Sequence, residues 1–274
     1  MKEKKKKPSQ FKESLSQRPK GVIALYLILR IIVVAVLIRS IFARQFEGIY
    51  MCTITLLLFL MPIFLEHKLN IELPSALEVI ILLFIFAHAI LGELDSYYIT
   101  HPYWDTMLHT TCGFLTAAVG FSMIDILNQN GHIKFQMSPA YCAVAAFCFS
   151  MTIGVFWEFF EFAMDYFFRM DMQKDTVIHA FASTYLDPTA SNIAVQVRNI
   201  QTTAVNGQLL PINGYLDIGL FDTMEDLFVN FIGALVFSVL GFFHMKHKGK
   251  SKIASRFIPV FRDKHKPSEP TKTE

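Results

Sequence analysis

Charged residues are scarce in the middle of this 274-residue chain, which is 18% charged and 53% hydrophobic. Eight of its 25 lysines and arginines lie in residues 1–20, and nine lie after His244. Only eight remain for the 224 residues between, where long apolar runs dominate. A soluble domain of this length does not need such runs, so the pattern favours a membrane protein.

Cysteine is equally sparse and carries no recognisable motif. The four cysteines are Cys52, Cys112, Cys142 and Cys148, and none forms a C-x-x-C pair. All four fall inside apolar runs, so we expect buried small thiols. The pattern gives no sign of a disulfide framework or of a zinc motif built on sulfur. No clear small-residue cleavage site follows the first apolar run, so we expect an uncleaved anchor.

Six apolar runs are long enough to cross a membrane, because about 20 helical residues span ~30 Å of hydrocarbon. The predicted spans are roughly Gly21–Ala43, Ile49–Leu65, Leu73–Leu94, Trp104–Leu127, Ser138–Phe168 and Thr223–His244. The sequence therefore predicts an all-α polytopic membrane helix bundle over residues 21–244. Disordered basic tails are predicted for residues 1–20 and 245–274.

The basic ends predict the orientation of the bundle. The positive-inside rule places both termini in the cytoplasm, and an even number of spans agrees with this. The basic tails suit contact with anionic lipid heads rather than nucleic acid. The long segment over residues 168–222 is then an extracytoplasmic loop. It contains Asn206-Gly207 and Asn213-Gly214, which favour tight turns, so a small hairpin is predicted there.

Acidic and histidine side chains recur at helical spacing in the last three spans. Each set follows one stripe of its helix: Asp105 and His109, then Glu158, Glu161 and Asp165, then Asp222, Asp226 and Asn230. With the predicted orientation, all three sets fall near the outer membrane face. Charged groups at membrane depth are costly, so their default interpretation is a functional site.

Several carboxylates in one pocket repel one another unless a proton, a cation or a basic side chain compensates. A divalent metal ion is a natural solution; oxygen ligands suit magnesium, calcium or manganese, and a histidine admits zinc or iron. The predicted ligands are Asp105, His109, Glu158, Glu161 and Asp226. His109 is also the candidate acid–base catalyst, because an ordinary imidazole titrates near pH ~6.5. Secondary candidates are Asp222, Asn230, Asp165 and His88.

Structural roles stay open beside these. Asp105 follows Pro102-Tyr103-Trp104 and could cap its helix, and Asp222 with Glu225 resembles a capping box. A cap and a site role can coexist. Arg30 either pairs with Glu78 or extends its aliphatic stem toward the inner surface.

The aromatic and small residues of these spans have structural interpretations. An outer aromatic belt is predicted from Tyr97, Tyr98, Tyr103, Trp104 and Trp157. Close helix approach is predicted at the small residues Gly113, Ala117, Ala118, Gly233 and Ala234.

Three motifs carry a resemblance to two related families. They are Asp105-Thr-Met-Leu-His109 with Gly113, Trp157-Glu158-Phe-Phe-Glu161, and Asp226-Leu-Phe-Val-Asn230-Phe-Ile-Gly233. In order and spacing they resemble the YjdF-like and VanZ-like families of polytopic membrane proteins. The resemblance implies a bacterial plasma-membrane protein. The VanZ-like family is associated with glycopeptide-antibiotic tolerance, which suggests envelope or lipid-linked substrates.

Departures from the VanZ-like pattern favour the YjdF-like family, for which no activity is settled. Glu161 stands where the VanZ-like pattern often has glutamine, and Asp222 and the long outer loop are additional. These departures also argue against an antibiotic-related role.

The leading functional hypothesis is an outer-leaflet pocket that holds a divalent metal and binds or acts on a phosphate-bearing lipid or envelope intermediate. Nothing in the sequence requires catalysis. Acids and a histidine at membrane depth also serve cation- or proton-coupled transport. The third hypothesis is a non-catalytic membrane protein in which the polar cluster joins helices and the long loop binds a partner.

Overall fold

The computed structural model describes residues 18–69, 71–129, 137–247, 249 and 251–261. The predicted tails over residues 1–17 and 262–274 lie outside the described residues, as does the connection at residues 130–136. Within the described ranges the chain is mostly helical.

The helices follow the apolar runs. Their bounds are Lys20–Phe42 (α1), Phe46–Leu58 (α2), Met61–Leu69 (α3), Ser75–Phe86 (α4), Tyr97–Thr100 (α5), Trp104–Gln129 (α6), Pro139–Phe168 (α7) and Leu220–Lys246 (α8). A π-helical segment, Ala87–Leu94, continues α4. Among the described residues, six helical stretches are long and apolar enough to cross a membrane: Lys20–Phe42, Phe46–Lys68, Ser75–Leu94, Trp104–Asp125, Pro139–Phe168 and Leu220–Lys246. The predicted helix bundle with six spans is confirmed.

The chain divides into two compact units. The larger unit comprises Met1–Thr152 and Val229–Glu274, and the smaller unit comprises Ile153–Phe228. Both boundaries fall inside helices, one in α7 and one in α8.

Two apolar clusters form the core of the larger unit. One surrounds Val33, Phe59 and Leu82, and the other surrounds Phe121 and Phe237. Glycines let α6 and α8 approach closely. A Cβ on Gly233 would lie 2.0 Å from the carbonyl oxygen of Thr110, and one on Gly113 would lie 2.2 Å from that of Asn230. The predicted close approach at these glycines is confirmed.

A buried ion-pair network involves α1, α3 and α4 of the larger unit. Arg18 donates hydrogen bonds to Glu66 at 2.9 Å and to Glu78 at 2.6 Å, and Tyr26 donates to the same Glu78 oxygen at 3.0 Å. Arg18 therefore belongs to the folded structure, although it lies in the predicted tail. Glu78 pairs with Arg18, while Arg30 lies over the Tyr26 ring, 5.4 Å from its centroid.

Part of the segment after α8 is folded. A 3-10 turn spans Ala254–Arg256, and strand Val260–Phe261 (β8) pairs antiparallel with Ile71–Glu72 (β1). Ala254 and Ile258 are buried in the second cluster, and the Phe257 ring packs edge-on against Phe114 at 5.0 Å. The prediction of a disordered tail is therefore wrong for residues 251–261, because Ala254, Phe257 and Ile258 pack against the second cluster.

The smaller unit contains the long segment between α7 and α8, which is folded into short strands. They are Thr176–Ile178 (β2), Phe181–Ser183 (β3), Val195–Val197 (β4), Ala204–Val205 (β5), Gln208–Leu209 (β6) and Tyr215–Asp217 (β7). The antiparallel pairs are β2 with β7, β3 with β4, and β5 with β6. Asn206 and Gly207 turn the β5–β6 hairpin with φ of 54° and 80°, as the Asn-Gly signal predicts.

Candidate functional site

Three buried carboxylates converge in the smaller unit. Glu158 and Glu161 lie on α7 and Asp226 lies on α8, with relative exposures of 4%, 7% and 3%. Each offers a carboxylate oxygen, and these oxygens all lie within 4.8 Å of one another. The structure thus brings together three of the five residues predicted as ligands.

Helical spacing explains this arrangement. Glu158 and Glu161 are three residues apart, which places both on one face of α7. Phe156, Phe159 and Phe162 occupy other directions around the helix and are exposed. Such an exposed aromatic surface is typical of a helix that faces lipid, whereas the carboxylates face inward.

Trp157 has a contact that the sequence analysis missed. Its indole Nε1 donates a hydrogen bond to Oε1 of Glu161 at 2.9 Å. The i,i+4 spacing of the two residues was the available signal. Trp157 was predicted only as part of the aromatic belt, and no contact with Glu161 was expected from the spacing. The hydrogen bond restricts the orientation of the Glu161 carboxylate.

Asp105 and His109 form a pair within the larger unit. Asp105 lies in the first turn of α6, and its Oδ1 is 3.4 Å from Nε2 of His109. Both side chains are mostly buried, at 28% and 14% exposure. That these two residues share one pocket with the three carboxylates stays a prediction.

His88 lies in the π-helical segment that continues α4. Its Nδ1 is 2.5 Å from the hydroxyl of Tyr98. A Cβ on Gly92 would lie 2.4 Å from the Tyr98 ring, so only glycine leaves room for this ring. A short π-helical turn inside an α-helix is frequent at functional sites, although here the observed partner of His88 is a tyrosine.

The remaining secondary candidates have hydrogen-bond partners from protein groups. Asp165 accepts from the backbone N–H groups of Met172 and Gln173, and Asp222 accepts from that of Lys174. Asn230, in the larger unit, is buried and donates to the sulfur of Met151 at 3.6 Å. A role as metal ligands for these residues stays a prediction.

Residues 25–247 match the model of a family described as "Predicted membrane protein (DUF2238)". The chain belongs to this family. The match runs through the candidate spans from α1 to α8, so the protein is embedded in a lipid bilayer. No curated protein and no solved structure matches the chain. The relation to the YjdF-like and VanZ-like families stays a prediction.

The chemistry open to this family member follows from its donor set. Glu158, Glu161 and Asp226 supply hard, anionic oxygens, which Mg²⁺, Ca²⁺ and Mn²⁺ prefer. Two oxygens bound to one such ion at ~2.0–2.6 Å are at most about 5 Å apart. The 4.8 Å limit observed here satisfies that requirement. The residues present therefore fit a divalent cation.

Proposed function

We propose that this membrane protein binds a divalent metal ion at Glu158, Glu161 and Asp226, and that the site binds or acts on a phosphate-bearing lipid or envelope intermediate. The observation that carries the proposal is the convergence of three buried carboxylates with oxygens within 4.8 Å of one another. Asp105 and His109 stay predicted ligands, and His109 stays the predicted acid–base group.

Electrostatics supports a cation at this place. Two unit charges 4.8 Å apart repel by about 3 kcal/mol at an effective dielectric constant of about 20. Three such pairs of ionised carboxylates are too costly to leave uncompensated in a membrane-spanning segment. A divalent ion offsets two of the three charges and gains oxygen ligands.

The number of carboxylates supports a further, anionic ligand. Magnesium prefers six oxygen ligands and is commonly held by one or two carboxylates together with substrate phosphates. Three monodentate carboxylates leave coordination positions for such oxygens. Because the ligand helices are membrane spans with exposed phenylalanines, a lipid is the class of molecule that reaches them most directly.

The distribution of lysine and arginine supports the location of the site. Both basic ends favour cytoplasmic termini, and in that orientation the carboxylates lie near the outer membrane face. That this membrane is a bacterial plasma membrane is what the family resemblance implies. Labelling of single cysteines introduced at Ala204 and at Lys20 with a membrane-impermeant maleimide, in intact cells, checks this orientation in a cysteine-free background. Labelling at position 204 alone is expected.

Metal binding is tested with purified protein in detergent. Isothermal titration with Mn²⁺, Mg²⁺, Ca²⁺ and Zn²⁺ is combined with elemental analysis of wild type, Glu158→Gln and Asp226→Asn. Both variants are expected to lose at least about tenfold in affinity. Glu225→Gln is the matched control, because Glu225 is exposed beside Asp226 on the same helix. Equal binding by all four proteins would overturn the ligand assignment.

Transport is the second candidate, and hydrogen-bonded hydroxyls on α6 and α7 of the larger unit favour it. The hydroxyls of Thr116 and Ser150 lie 2.8 Å apart, and Ser150 donates to the carbonyl of Gly113 at 2.8 Å. Proteoliposome flux of protons or cations that disappears in Asp226→Asn would support this function. If the variants lost only stability, the carboxylates would have a structural role.

A further inference from the structure

One tripeptide is hydrogen-bonded to both helices that carry the three carboxylates. The backbone N–H groups of Met172 and Gln173 donate to the two oxygens of Asp165 on α7, at 2.6 and 2.8 Å. The next N–H, that of Lys174, donates to Asp222 on α8 at 2.8 Å. Residues 172–174 therefore connect the end of α7 to the start of α8 through consecutive backbone groups.

A side-chain hydrogen bond strengthens the connection to α8. Gln173 Nε2 donates to the hydroxyl of Thr223 at 2.6 Å. Gly219 makes this approach sterically feasible: its φ is 90°, and a Cβ there would lie 2.7 Å from the Cβ of Gln173. The β2–β7 pair then begins at Thr176 and Asp217, so a strand ladder continues from the tripeptide.

The two acceptor carboxylates lie one helical turn from the candidate ligands. Asp165 follows Glu161 by four residues, and Asp222 precedes Asp226 by four residues. At ~1.5 Å per residue, each separation is about 6 Å along its helix. The hydrogen bonds therefore act on the turn next to the ligands on both helices.

We propose that residues 172–174 form a clamp that sets the separation between the carboxylates of α7 and Asp226 of α8, and thereby tunes the metal affinity of the site. This inference rests on the proposed function. Affinity depends on how well ligands are held at their bonding distances before the ion arrives, and the groups that hold them matter for that reason. In this arrangement Asp165 and Asp222 are positioning residues.

Asp222 provides a sharp test, because asparagine keeps an oxygen that can accept the Lys174 N–H, whereas alanine does not. Asp222→Ala is expected to weaken Mn²⁺ binding by roughly tenfold or more. Asp222→Asn is expected to retain wild-type affinity within about twofold, as a hydrogen-bond role requires. If Asp222 were instead a direct ligand, both variants would bind Mn²⁺ more weakly than wild type. That result would overturn the positioning role.

A milder variant decides the matter if Asp222→Ala does not fold. Thr223→Val removes only the hydroxyl that accepts from Gln173. Its matched control is Thr152→Val on α7. Thr152 is exposed, and its hydroxyl donates to the carbonyl of Cys148 within the same helix at 2.8 Å. Thr223→Val is expected to weaken Mn²⁺ binding, whereas Thr152→Val is expected to leave it unchanged.

Titration calorimetry and the thermal stability of the metal-free proteins are measured side by side. A clamp predicts that Mn²⁺ affinity falls further than stability does. Equal affinity in wild type, Asp222→Ala and Thr223→Val would overturn the clamp and leave the metal site standing. A wild-type protein that binds no metal would overturn the proposed function and the clamp together.

Discussion

The indole nitrogen of Trp157 and a carboxylate oxygen of Glu161 lie 2.9 Å apart on consecutive turns of α7. This hydrogen bond occupies one Glu161 oxygen and limits the rotamers that bring the other toward Glu158 and Asp226. An aromatic residue that resembles a membrane anchor in the sequence is therefore connected directly to the candidate site.

Replacing Trp157 by phenylalanine should weaken metal binding about tenfold, because the ring remains but the hydrogen-bond donor is lost. Titration with Mn²⁺ measures the change. Trp104→Phe is the control, since Trp104 is the only other tryptophan and packs against Tyr97. In the Trp104→Phe protein Trp157 is the one remaining tryptophan, so the tryptophan fluorescence should change when Mn²⁺ binds. Undiminished affinity in Trp157→Phe would contradict a positioning role.

Gly233→Ala should destabilise the larger unit, because the new methyl group would lie 2.0 Å from the backbone oxygen of Thr110. Overpacking of this kind typically costs about 1–3 kcal/mol. Gly21→Ala is the matched control: nothing lies within 4 Å of its Cβ position, and it sits in α1. Thermal unfolding in detergent should separate the two variants. Equal melting temperatures would argue against close packing of α6 and α8.

Arg18→Ala should destabilise the fold strongly, since it leaves Glu66 and Glu78 without their shared cation. The side chains of Arg18 and Glu78 are only 6% and 2% exposed. Removing one partner of a buried pair costs about 3–5 kcal/mol. Lys20→Ala removes a neighbouring, exposed cation and should have little effect. Denaturant titrations of both proteins measure the difference, and similar midpoints would contradict a structural role for Arg18.

Asp187 should order the loop between β3 and β4. The hydroxyl and N–H of Thr189 donate to its carboxylate at 2.6 and 2.9 Å, as does the N–H of Ser191 at 2.8 Å. These hydrogen bonds, those from Thr189 foremost, hold the pKa of Asp187 well below its usual range. A lowered carboxyl pKa adds stability above the ordinary value of about 3.9, and this is lost as the pH falls through the folded-state pKa.

Hydrogen exchange at residues 187–193 is the measurement for this loop. Wild type should keep its protection from pH 8 down to about pH 4. Asp187→Ala should exchange faster throughout that range, whereas Asp171→Asn, at an exposed carboxylate of the same unit, should not. Protection that is identical in Asp187→Ala would show that the carboxylate does not organise the loop.

The helices were predictable from the sequence because long apolar runs with few charges are typical of membrane-spanning helices. Glu158, Glu161 and Asp226 were also visible, since carboxylates inside such runs are rare. The clamp could not be predicted, because the identity of a residue does not show which acceptor its backbone N–H group binds. Asp165 and Asp222 look the same in a sequence whether they bind an ion or accept from Met172 and Lys174.

Long-range packing explains the other differences. Ala254 and Ile258 form no long run, so their burial depends on the neighbouring helices. Arg18 lies among lysines that suggest a solvated tail, and only the tertiary positions of Glu66 and Glu78 distinguish it from them.

The pairing of β1 with β8 bears on biogenesis. Glu72 is opposite Val260, and the two positions are 188 residues apart. Since chains are synthesised from the N-terminus, β1 cannot pair until the segment that follows α8 has been made. Until then, the helices that precede and follow β1 are in the bilayer while β1 has no strand partner. A nascent chain that stops after α8 would lack β8 and could not form this pair.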